Sequence, residues 1–197
     1  QVYCKIIKNI VNNAIYFNHK MITIIMATGR EKCDSAALAS IILKNMGFNV
    51  IETKYENVDV EKREPIISTS NLPLVEKIQL ITKEIVEPID KTKLKFVKPR
   101  FGFWGVPPND LSILKLFPDD THVYGWTRCV EMGVPACYET EITVDKNVPT
   151  VFYAQAFCAK ASLAKYLSFK YNGLYVDIDD VATNSIVAKI EAFINLR

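Results

Sequence analysis

Five cysteines, at positions 4, 33, 129, 137 and 158, are the residues of this 197-residue chain best suited to chemistry. A thiolate bonds soft metals and attacks electrophiles, and its pKa falls beside a cation or a helix N-terminus. Three of the thiols have a cation close by in sequence: Lys32 precedes Cys33, Arg128 precedes Cys129, and Lys160 follows Cys158 by two. Only His19 and His122 are present, so neither a histidine-rich zinc site nor a histidine-dependent triad is expected. Cys129 and Cys137 lie in YGWTRCVEMGVPAC, too far apart for the C-x-x-C pairs of zinc ribbons or ferredoxin-type clusters. Any shared centre therefore depends on the fold bringing separate loops together.

The elements that would do so alternate between strand and helix. MITIIMATG, residues 21–29, is a continuous apolar run ending in glycine, as in a strand buried on both faces of a parallel sheet. CDSAALASIILKNMG has apolar residues at helical spacing and closes on Gly47, and 48–55 reads as a second strand. A helix runs from after Asn71 to near Pro88. FGFWGV is a strand, LSILKLF a short helix, residues 121–126 a strand, 130–149 irregular and 149–157 a strand. CAKASLAKYLSFKYNG, LYVDID and ATNSIVAKIEAFINL complete the pattern as helix, strand and helix. This alternation predicts an α/β three-layer sandwich around a mostly parallel, Rossmann-like sheet in a single domain.

In such sheets ligands bind beyond the carboxyl ends of the strands, where helix N-termini face the crevice. Cys33, Cys129 and Cys158 each follow a predicted strand, and Cys137 lies in a nearby loop. The helical segments opening at Cys33 and Cys158 also share C-x-x-A-x-L-A. The same Ala and Leu spacing suits any helix packed on a sheet, so it does not by itself require a duplication.

Two functional readings follow. In the first, Cys33, Cys129 and Cys158, with Cys137 as fourth ligand, hold an iron–sulfur or other thiolate-bound centre in a cytoplasmic redox or metallo-protein. Cysteines at successive strand ends of a small parallel sheet are a plan used by cluster-carrying enzyme subunits of anaerobes, a likeness of plan alone. In the second, a metal-free small-anion-binding module or enzyme-complex subunit uses Arg30, Lys32 and Arg128 at the same edge. Against both stands plain packing, because free cysteine fills tight strand–helix turns well.

The remaining features exclude more than they propose. ATGREKCDS lacks both the G-x-G-x-x-G and the G-K-[ST] patterns, so no nicotinamide or P-loop nucleotide is implied, and Asp34 or Ser35 reads as a helix cap. FGFWGVPPND is a stiff turn capped by Asn109 or Asp110, or a rigid pocket wall. Asp177 and Asp179 share a strand face that could bind Mg²⁺, with Asp180 free to cap the last helix. A net charge of +2 with no basic stripe argues against nucleic acid, and 23% charged residues argue against a membrane span. The partners left are a small-molecule ligand or a redox partner protein. An odd number of cysteines, with no cleavage region of a signal peptide, suggests a reducing cytoplasm. Residues 1–20, rich in Ile, Asn and Lys, read as a non-core extension ahead of a domain spanning 21–197. Their alternative is a basic amphipathic helix with Ile6, Ile7, Ile10, Val11 and Ala14 on one side. On either reading Cys4 is given no role.

Overall fold

The computed structural model describes residues 4–20, 23–29, 33–53, 61–135 and 137–197. Helix α1 (Lys5–Tyr16) precedes the unit β1 (Ile24–Ala27), α2 (Asp34–Asn45) and β2 (Val50–Thr53). The second part contains α3 (Leu74–Lys83), β3 (Phe101–Trp104), a 3-10 helix (Leu111–Leu116), β4 (Thr121–Tyr124), α4 (Trp126–Glu131) and α5 (Tyr138–Ile142). It ends with β5 (Thr150–Gln155), α6 (Lys160–Lys170), β6 (Leu174–Ile178) and α7 (Asn184–Asn195).

All strand pairs among the described residues are parallel, and the chain has the α/β, Rossmann-like alternation read from its sequence. The parallel structure comes in two pieces rather than one sheet, a four-stranded sheet ordered β4-β3-β5-β6 and a two-stranded sheet β1-β2.

Strand alternation divides the larger sheet between two cores. Phe103, Val123, Val151, Tyr153, Val176 and Ile178 face one side, under Leu74, Ile78 and Ile81 of α3 and Ile190 of α7. Trp104, Tyr124, Phe152 and Ala154 face the other, under Ala164 and Leu167 of α6. Burying an apolar side chain of this size contributes about 1.5–3 kcal/mol, so the two faces carry most of the stabilisation here. Close layer contact needs Gly102: a methyl there would stand 2.6 Å from the Tyr124 ring.

Residues 4–20, set apart in the sequence as an extension, include the amphipathic α1. Its Ile7 and Ala14, together with Cys4, pack with Met26 of β1 and Ala39 and Leu43 of α2. The opposite face of the small sheet leaves the register partners Ile25 and Ile51 exposed.

The caps differ in part from expectation. Asp110 caps the 3-10 helix, its side chain accepting from Ser112 N. The N-cap of α2 is Cys33 rather than Asp34 or Ser35, and α7 is capped by Thr183 rather than Asp180. Asp180 instead pairs with Lys5 at 2.7 Å and accepts from Asn109 Nδ2.

Candidate functional site at the carboxyl edge

At the carboxyl ends of β3 and β4 the edge is filled by protein. The strand expected over 121–126 ends at Tyr124, because Gly125 turns the chain at φ 71° and α4 starts at Trp126. Thr127 donates through both its N–H and Oγ1 to Gly105 O, and Trp104 Nε1 donates to Glu141 O at 2.7 Å. This closure leaves a methyl at Gly125 only 2.9 Å from Gly105 N and the Trp104 indole.

The closure corrects the expectation for Cys129. It stands on α4 rather than in an open turn, and its side chain is fully buried. Burial, then the charges of Glu141 and Cys137, push the thiol up to about 12, and Lys160 and Arg128 offset this only in part. The expected activation by neighbouring cations fails here because desolvation outweighs it. Cys137 is the N-cap of α5, with its sulfur 3.1 Å from Thr140 Oγ1 and 3.3 Å from Glu139 Oε2. Cys129 and Cys137 thus form one group, with Cys129 Sγ reaching Cys137 O at 3.9 Å. Beneath them Lys160 Nζ meets buried Glu141 Oε2 at 2.6 Å.

Cys158 belongs to a different group. Gln155, at the end of β5, donates to Ile178 O and Asp179 O and accepts from Tyr153 Oη, tying the ends of β5 and β6 together. Phe157 then adopts φ 62°, a conformation costly for a residue with a side chain, and half-buried Cys158 follows before α6. Burial above all pushes the Cys158 thiol up. A backbone hydrogen bond involving Lys160 opposes the rise, and the Cys33 and Cys4 thiols add to it. The expected depression of the Cys158 pKa is therefore also corrected. Cys33 is exposed at the start of α2, and Cys4 is buried at the start of α1. Sequence reasoning passed over Cys4, although its place ahead of an amphipathic helix matches that of Cys33.

Arg30 and Lys32 lie outside the described residues. Arg128 stacks its guanidinium 4.1 Å from the centroid of the Tyr124 ring, and burial pulls its pKa down. Its Nε and Nη2 are buried and have no hydrogen-bond partner among the described residues. These two donors form the side-on edge of the guanidinium, the fork that matches a carboxylate or phosphate.

Among the described residues, no three His, Cys, Asp or Glu side chains are gathered closely enough to hold one metal ion. None of the described helices is long and apolar enough to cross a membrane. No family model matches the chain, nor does any curated protein or solved structure. Fold and site together define an α/β protein of parallel strands in which Cys129 and Cys137 meet beyond the end of β4.

Proposed function

We propose that this chain is a redox or metallo-protein whose thiolate-bound centre lies at the carboxyl edge, around Cys33 and Cys158. The observation that carries the reading is placement: Cys33 is the N-cap of α2 beyond β1, and Cys158 stands two residues before α6 beyond β5, each past the carboxyl end of a parallel strand. Cys129 and Cys137 lie in the closed part of the edge. Anaerobic reconstitution with iron and sulfide tests the reading. Broad visible charge-transfer absorption, with iron retained on desalting, is the expected outcome. Less than about one iron per chain, without such absorption, removes the idea.

The vacant fork of Arg128 favours a second reading, a small oxyanion held without metal. Inorganic phosphate or acetate would then raise the melting temperature of the native chain but not that of Arg128→Lys, which keeps the charge and loses the fork. Equal shifts in both proteins would remove this reading.

A further inference from the structure

We infer that the fork of Arg128 is the seat of a small-molecule monocarboxylate, whose two oxygens accept from the guanidinium's Nε and Nη2 side by side. This rests on the metal-free oxyanion reading and adds to it the class of anion, a singly charged planar carboxylate rather than a phosphate or sulfate.

The donors are held ready for an acceptor that the described residues do not supply. Nε and Nη2 are buried and have no partner among them. A buried charged donor without an acceptor is costly, so such a group marks a place where an acceptor belongs. Other cations in buried surroundings have theirs. Lys77 Nζ donates to Asp119 O and Thr121 O, Lys91 meets Glu84 at 2.6 Å, and Lys160 meets Glu141 at 2.6 Å. On α4 itself the acid next to Arg128 is Glu131, three residues on, and its oxygens already accept from Ile67 N, Ser68 N and Ser68 Oγ. Turning it toward Arg128 would strip those buried loop groups of their acceptor.

The fork is also fixed in place. The guanidinium stacks 4.1 Å from the centroid of the Tyr124 ring, and Tyr124 is 3% exposed in β4, in register with Trp104 of β3. A guanidinium pinned on a buried ring has given up its rotamer freedom before a ligand arrives, which removes that cost from binding.

Charge and shape then select the anion. His122 stands two residues before Tyr124 on the same face of β4, with the two ring centroids 6.4 Å apart. Its Nε2 lies 2.7 Å from Val97 O, and burial lowers its pKa to about 4, so it is uncharged at neutral pH. The row His122, Tyr124 and Arg128 therefore carries a single positive charge. A monoanion neutralises that charge, whereas a phosphate or sulfate dianion would leave net negative charge in a desolvated place. A carboxylate also engages both of its oxygens, while the tetrahedral anions bring further oxygens for which the fork has no donor. Enclosure sets the size. Both fork atoms are shut from solvent while Arg128 as a whole is half-buried, which suits a short acid that the edge can close over, not the chain of a partner protein.

The test is the melting temperature of the full chain at neutral pH against rising formate, acetate, phosphate or sulfate, with ionic strength held constant by chloride. Saturation separates binding at a site from the general stabilisation by phosphate and sulfate, which keeps rising with concentration. Formate and acetate are expected to saturate, at concentrations at least about tenfold below any saturation by phosphate or sulfate. Arg128→Lys should lose the saturable effect. If that variant does not fold, exchange broadening of isotope-labelled acetate by the native chain decides, with excess unlabelled formate reversing it and phosphate not. Saturable stabilisation by phosphate or sulfate at concentrations as low as for acetate, or reversal of the broadening by phosphate, overturns this inference and leaves the oxyanion reading standing. No saturable effect from any of the four anions, or the same effects in Arg128→Lys, removes both.

Discussion

The carboxylate of Glu131 accepts the backbone N–H of Ser68 at 2.9 Å, joining α4 to a loop 63 residues earlier in the chain. The same carboxylate accepts from Ile67 N and Ser68 Oγ, and Lys91 Nζ lies 4.0 Å away. Glu131 is almost fully buried, so its cost of desolvation is offset chiefly by these hydrogen bonds.

Glu131→Ala leaves the Ile67 and Ser68 N–H groups buried and unpaired, which predicts a loss of about 3 kcal/mol in urea unfolding. Limited proteolysis of the folded variant should open the segment around Ile67 first. An unchanged urea midpoint would show that water or a shifted loop replaces the carboxylate.

His122 makes stability depend on acidity. Burial chiefly lowers its pKa to about 4, against a hydrogen bond from Nε2 to Val97 O and with the charges of Arg128 and Lys77 adding to the fall. The unfolded chain takes up the proton near pH 6.5 and the folded one only near 4, so His122's contribution is fully present above about 6.5. It is lost as pH falls from 6.5 through 4, by about 3 kcal/mol at completion. Urea midpoints measured across this range should fall for the native chain and flatten for His122→Gln. Parallel curves for the two proteins would assign the acid loss to other groups.

The alternation of apolar strands and helices was legible because each element buries a face with its own period, and the β3, β5 and β6 runs matched closely. Trp126 was not legible as a helix start. YGW continues an aromatic strand pattern, and only tertiary contacts, Thr127 on Gly105 O and Trp104 on Glu141 O, decide that Gly125 ends the strand. That single displacement moved Cys129 from an apparent edge into the interior. Sequence proximity of Arg128 suggested an activated thiol, but burial depends on α5 folding over it. Cys4 was set aside for the composition around it, although Ile7, Val11 and Ala14 already marked the buried side of a helix.

Native-state alkylation distinguishes the two thiol groups. Cys129 is buried and its pKa stands near 12, so iodoacetamide at pH 8 should leave it unlabelled until the chain unfolds. Exposed Cys33 should label in the native, metal-stripped protein. Peptide mapping over a time course reads both rates. Cys129 labelling at the rate of Cys33 would show that the cover of α4 and α5 opens readily, returning Cys129 to the reactive edge.

Phe157 tests whether the turn that delivers Cys158 is set by backbone or by packing. At φ 62° its side chain costs roughly 1–2 kcal/mol, and with 56% of the residue exposed little packing offsets this. Phe157→Gly removes the steric cost while adding freedom to the unfolded chain, so the net change should lie within about 1 kcal/mol. Phe157→Val places a β-branched residue in the same conformation and should destabilise by about 1–2 kcal/mol. Urea unfolding of the three unloaded proteins gives the order native and Gly together, Val below. If Gly falls as far as Val, contacts of the aromatic ring hold the turn, and Phe157 is then part of the wall around Cys158 rather than a strained hinge ahead of it.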